Sequence, residues 1–141
     1  MKNARKVLLV ENDEFTRYMM REIITALGVD VELAEDGEEG VSKVIENPGE
    51  FGLVLMDLHM PNVSGLEATR QIRAMASAVS DTPIVALTAD AMETARDACT
   101  EAGMNAVITK PIRPDILFGT LEEFTTARPD RPDHTLEQMA S

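Results

Sequence analysis

An α/β domain with a parallel sheet covered by helices on both faces is the fold this sequence predicts. Three observations carry the prediction. Short apolar runs without polar alternation recur at Val7-Leu8-Leu9-Val10, Leu53-Val54-Leu55-Met56, Ile84-Val85-Ala86-Leu87 and Ala106-Val107-Ile108, the pattern of strands buried on both sides. Segments with helical spacing of apolar residues separate them. Strand and helix alternate five times, which implies right-handed crossovers and one sheet. With 141 residues, 44% of them hydrophobic, the chain can build one domain around its own core.

The four unalternating runs are expected at the centre of the sheet. After the first, Glu14 to Leu27 reads as a helix whose inward stripe is Phe15, Met19, Ile23 and Ala26/Leu27, with Gly28 as its stop. Val29-Asp30-Val31-Glu32-Leu33 alternates strictly and is predicted as an edge strand with one wet face. Val41, Val44 and Ile45 mark a short second helix after Asp36-Gly37. Beyond the strand at Leu53, Ser64 with Glu67 reads as a capping box opening a third helix, buried at Leu66, Thr69, Ile72 and Ala76. Asp90 with Glu93 is expected to open the fourth helix in the same manner. Its stripe of Met92, Ala95, Cys99 and Ala102 offers smaller side chains than the first helix, so this helix should be the least firmly packed. Cys99 is read as a small core residue. Pro114 at a first-turn position, with Ile116/Leu117, Leu121 and Phe124, defines the fifth helix. The domain is placed at 1–124, and 125–141, with Pro129 and Pro132 and little that packs, is expected to be an acidic, mobile tail.

Composition removes several classes of function. Acidic residues number 25 against 13 basic ones, for a formal charge of −12, and the pI is near 4.5. Phosphate neutralisation needs clustered Lys and Arg, so neither DNA nor an anionic membrane surface is an expected partner. The apolar runs are far short of a bilayer span. Glu11 and Asp13 interrupt any secretory apolar region after Val10, and the single cysteine fits a reducing compartment. A cytoplasmic location is expected.

In an open parallel sheet, ligands bind beyond the carboxyl ends of the strands where strand order reverses. Those ends carry Glu11-Asn12-Asp13, Asp57, Thr88 and Thr109-Lys110-Pro111. Acidic groups, a hydroxyl and an ammonium thus converge from distant parts of the chain. Such a set suits a divalent cation with oxygen ligands and a carboxylate nucleophile receiving a phosphoryl group.

The strings Leu8-Leu9-Val10-Glu11-Asn12-Asp13-Glu14, Val54-Leu55-Met56-Asp57-Leu58-His59-Met60-Pro61 with Gly65, Val85-Ala86-Leu87-Thr88-Ala89 and Thr109-Lys110-Pro111-Ile112 resemble the receiver domain of two-component response regulators. The resemblance covers roughly residues 5–124. It implies the flavodoxin-like (βα)5 three-layer sandwich with strand order 2-1-3-4-5, which a member of this family illustrates in general accounts of the fold. It implies Asp57 as the phosphoacceptor, taking its phosphoryl group from a histidine kinase or a histidine phosphotransfer protein. Thr88 and Lys110 would then bond the phosphoryl oxygens. Mg2+ would be held by Glu11, Asn12, Asp57 and the backbone carbonyl of His59, and the peptide before Pro111 would be cis. Output would run through the surface of the fourth helix, fifth strand and fifth helix to a protein target.

Two positions depart from the family pattern. Asn12 stands where a second carboxylate is usual, so weaker metal binding is predicted, with Asp13 as an alternative ligand through a local shift. Val107, three residues before Lys110, replaces an aromatic side chain that swings inward in many receivers, so switching should run through Thr88 and the fourth helix instead. Asn12 and Asp13 also suit simple helix capping, Asp90 reads as a cap before a catalytic participant, and His59 is a lone loop histidine. The alternative reading is a pseudo-receiver that binds partners without phosphorylation. A hydrolase of the aspartyl-phosphate type would want a second acid where His59 stands, and a flavin carrier a Gly-, Ser- or Thr-rich loop after the first strand.

Overall fold

The computed structural model describes residues 6–125; the expected tail lies outside them apart from Thr125. Five strands, β1 (Lys6–Val10), β2 (Val31–Ala34), β3 (Phe51–Asp57), β4 (Ile84–Thr88) and β5 (Ala106–Thr109), alternate with five helices. The helices are α1 (Glu14–Ala26), α2 (Gly37–Glu46), α3 (Gly65–Arg73), α4 (Glu93–Ala102) and α5 (Pro114–Thr125), and a 3-10 turn at Ala78–Asp81 precedes β4. Every strand pair is parallel, in the order β2-β1-β3-β4-β5.

The period of two along each strand divides the interior into two cores. Val7, Leu9, Leu53, Leu55, Val85, Leu87 and Ile108 face Met20 and Ile24 of α1 and Leu117 and Leu121 of α5. Their neighbours Leu8, Val10, Val54, Met56, Ile84 and Ala86 face Val41 and Val44 of α2, Ala68 and Ile72 of α3, and Cys99 of α4. The result is three layers, as the alternation of strand and helix implied.

Several local expectations need correction. β5 is an edge strand, not a central one, with Ala106 exposed and only Ile108 buried; a run of three apolar residues is too short to show which side is covered. The inward stripe of α1 is Arg17, Met20 and Ile24, while Phe15 is 74% and Met19 40% exposed. Apolar residues surround much of this helix, so two stripes fit the spacing. What decides between them is Arg17, whose Nη1 donates to the Glu11 carbonyl at 2.8 Å in a buried position. Asp90 does not cap α4: its Oδ1 accepts from Met92 N at 2.9 Å, an Asx-type turn that delays the helix to Glu93, with Met92 as an N-cap that makes no side-chain bond. Met92 is exposed, and α4 has no buried residue before Cys99, in line with its expected loose packing. α3 ends at Arg73, before Ala76, which is exposed, and its buried positions are Gly65, Ala68, Thr69 and Ile72 with Leu66 half-buried. In α2 and α5, Ile45 and Ile116 turn outward.

Other local signals hold. Asp13, Asp36 and Ser64 cap α1, α2 and α3 by accepting from Thr16, Glu39 and Glu67 N–H groups. Gly28 follows α1 at φ +85°. The Lys110–Pro111 peptide is cis.

Candidate functional site

Each strand of a parallel sheet delivers its last residue to the same end of the molecule, which is why residues 46 and 53 positions apart can meet here. Asp57 is the final residue of β3 and is almost wholly buried, and Glu11 follows β1 with no exposed surface. Lys110 follows β5, and its backbone N–H donates to the Thr88 carbonyl at 2.7 Å, which aligns the ends of β4 and β5. The Lys110 ammonium lies 3.2 Å from Glu11 Oε1 and 3.4 Å from Asp57 Oδ1. One cation therefore serves two buried carboxylates.

The surroundings hold these groups in place. Glu11 Oε2 accepts from the Asp13 N–H at 3.1 Å, and Asp57 Oδ1 accepts a long bond, 3.4 Å, from His59 N–H. Leu58 N–H donates to the Leu87 carbonyl, and Gly65 N–H donates to the Leu58 carbonyl, both at 3.1 Å. A Cβ on Gly65 would sit 2.3 Å from the Asp57 carbonyl oxygen, so only glycine lets α3 begin this close to the strand end. Burial pushes the Glu11 carboxyl above its ordinary pKa. The Asp13 N–H opposes that shift, the negative charge of Asp57 adds to it, and Lys110 opposes it.

The structure joins Glu11, Asp57 and Lys110 directly, but other predicted site residues stand apart from that contact. The Thr88 hydroxyl, buried at the end of β4, accepts from Asp90 N–H at 3.0 Å. Asp13 spends its carboxylate on α1, accepting from Thr16 N at 2.8 Å and Thr16 Oγ1 at 2.6 Å. Those two bonds hold its pKa below the ordinary value. Asn12 is exposed beside Glu11. Among the described residues no three His, Cys, Asp or Glu side chains are arranged to hold a metal; the carboxylates of Glu11 and Asp57 converge on Lys110. All of the convergent donors are oxygens, which suits a hard cation that keeps part of its water shell.

Sequence reasoning missed the rim. A hollow of about 490 Å³ opens between Thr16 and Met19 of α1, Ala89 after β4, and Lys110, Pro111 and Ile112. Phe15 stands exposed one residue from Thr16. The signal was present in the surplus of apolar residues on α1, but periodicity assigned them to the core.

Comparison with known proteins accords with this geometry. A protein-family profile described as the response regulator receiver domain matches residues 7–122. The rice two-component response regulator ORR41 is 39% identical over 124 residues, covering 86% of this chain and 95% of its own. The chain spans 14% or less of the length of several histidine kinases that it also matches. Among solved structures, the receiver domain of the Pseudomonas aeruginosa sensor histidine kinase PA1611, which has a magnesium ion coordinated in its active-site cleft, is 32% identical with a TM-score of 0.78. The match covers 86% of this chain and 97% of that one. The Saccharomyces cerevisiae complex of the histidine phosphotransfer protein Ypd1 with the receiver domain of Ssk1 matches at 26% identity and TM-score 0.79, over 92% and 97%. The fold is shared with these relatives, and the chain belongs to the response regulator receiver domain family.

Proposed function

We propose that Asp57 is the phosphoacceptor of a two-component or phosphorelay system, in a receiver unit extending over 1–124. The observation that carries this reading is the shared ammonium: Lys110 contacts both buried carboxylates and so offsets the repulsion an incoming phosphoryl anion would meet. Asp57 attacks the phosphorus of a phosphohistidine, the new O–P bond forms as the P–N bond breaks, and the departing imidazole keeps the electron pair and takes a proton from solvent. Lys110 then bonds a phosphoryl oxygen. The Thr88 hydroxyl, freed from Asp90 N–H, bonds another, which transmits the event to the loop before α4. Glu11, Asp57, the Asn12 side-chain carbonyl and the His59 backbone carbonyl are the groups that would hold Mg2+, whose charge would neutralise the transferring phosphoryl oxygens. Asp13, committed to its helix, is not needed.

The exposed rim supports a protein donor. Met19, lining the hollow together with Lys110, and exposed Phe15 beside Thr16 give an apolar landing surface suited to a histidine kinase or a histidine phosphotransfer protein, and Ypd1 bound to the Ssk1 receiver is the related case. Output through α4, β5 and α5 to a protein target, and a cytoplasmic setting, complete the reading. Among the described residues no helix is long and apolar enough to cross a membrane.

Intact-mass measurement after incubation with acetyl phosphate and Mg2+ tests the assignment. A phosphoryl-sized gain that vanishes in Asp57→Asn is expected. No gain at any Mg2+ concentration would replace it with the phosphorylation-independent interaction module.

A further inference from the structure

A groove of about 250 Å³ runs over β5 between α4 and α5, lined by Arg96, Val107, Ile108, Thr109, Arg113 and Ile116. Its floor and one wall are apolar: Val107 and Ile108 lie in β5, and Ile116 is 45% exposed on α5. Its rim is basic in a chain of charge −12. Arg96 is exposed, and among the described residues it is the one Lys or Arg side chain with neither an ion pair nor a hydrogen bond. Lys6, Arg21, Lys43, Arg70, Lys110 and Arg113 have ion pairs, and Arg17 and Arg73 donate to backbone carbonyls. Glu93 and Asp97 share its helix, and it pairs with neither. Arg113 across the groove pairs with its near neighbour Asp115, at 2.7 Å and largely exposed.

We propose that this groove receives a segment of a protein partner that carries a carboxylate beside a bulky apolar side chain, the carboxylate pairing with Arg96 and the apolar group seating against Val107 and Ile116. The proposal rests on the output-face reading above and adds the chemistry of the target. An acidic domain repels an acidic partner everywhere except where a local cation is free, so Arg96 sets both where and in which register the segment docks. A guanidinium suits the task because its fork holds a carboxylate bidentately. α4 carries its first buried residue only at Cys99, so its first two turns can adjust to the segment that binds.

The test uses the full chain and a random-peptide phage library, panned in parallel on the wild type, Arg96→Glu and Ile116→Glu. Both substituted positions are exposed, so the variants should fold as the wild type does. Peptides selected on the wild type should be enriched in Asp or Glu next to Leu, Ile, Met or Phe. Their affinity for Arg96→Glu should drop about tenfold or more, because a like charge replaces the partner of a carboxylate. Panning on Arg96→Glu itself should shift the enrichment to Lys and Arg. Groove-binding peptides lost on Ile116→Glu but without acidic bias would overturn the proposed chemistry and leave the output face standing. Peptides indifferent to both variants would overturn the two together. A wild-type dimer in analytical ultracentrifugation that Arg96→Glu dissociates would replace the partner by a second copy of this chain and likewise overturn the proposal.

Discussion

Replacing Lys110 with methionine probes how one ammonium keeps two buried carboxylates side by side. At 3.2 Å and 3.4 Å, each attraction is worth about 5 kcal/mol before desolvation, at an effective dielectric constant of about 20. Much of that is offset by removing the three groups from water. The cost of deleting one partner of a buried pair is about 3–5 kcal/mol, and the 25% exposure of the Lys110 side chain places this case near the lower end. With a urea m-value of about 1.5 kcal/mol/M, the unfolding midpoint near neutral pH should fall by about 2 M.

The pH dependence identifies the cause. Without Lys110, burial and the negative charge of Asp57 push the Glu11 carboxyl up with less opposition, from an ordinary value of 4.5. The folded variant then keeps a proton that the unfolded chain has released. The native state binds more protons, so stability is greatest at low pH and declines as pH rises through the folded pKa. Urea unfolding followed by circular dichroism should show the variant's deficit growing as pH rises above the ordinary carboxylate range. Millimolar Mg2+ should restore part of it, since a divalent cation on the same oxygens replaces the missing charge. A variant as stable as the wild type at the upper pH, or a deficit that ignores both pH and Mg2+, would refute the shared-ammonium account.

Three further outcomes are expected. Asn12→Asp should tighten Mg2+ binding by about thirtyfold in calorimetric titration, because a carboxylate about 4 Å from a divalent ion in a water-like dielectric contributes about 2 kcal/mol; Asp13→Asn, which preserves the helix cap, should leave that affinity unchanged. Gly65→Ala places a carbon 2.3 Å from the Asp57 carbonyl, where backbone must move, so thermal unfolding should reveal a loss of about 1–3 kcal/mol together with slower phosphorylation by acetyl phosphate. Met20→Ala should cost about 2–5 kcal/mol in urea unfolding while Phe15→Ser costs almost nothing, and the reverse ranking would restore the stripe first read from the helical spacing.

The parts of the fold that were legible in the sequence share a physical basis. Strands covered on both faces must be apolar throughout, so Val7–Val10, Leu53–Met56 and Ile84–Leu87 announce themselves, and a parallel sheet then carries the polar residue after each run to one edge. Glu11, Asp57 and Lys110 group at one edge on that ground from the sequence alone, and Lys110 lies against both acids. Capping also reads locally, because Asp13 and Ser64 need only the next turn of backbone. Asp90 fails for the same local reason: an Asx-type bond to Met92 N–H competes with a cap, and the sequence does not say which wins.

Periodicity fails where an apolar residue serves something other than this chain's own core. Phe15, Met19 and Ile116 fit helical stripes as well as Met20, Ile24 and Leu117 do, yet the first three face solvent and the second three are buried. A hydrophobic pattern records that a surface is to be covered and not what covers it. A buried arginine resolved the choice on α1, since Arg17 finds its acceptor only with Met20 turned inward. On a surface that passes signals between proteins, half of each interface is encoded as if it were interior. Among the apolar residues left over once the two cores are filled, Met19 lines the hollow that Lys110 also lines and Ile116 shares a groove with Arg96, and on this reading their partners reside in other chains.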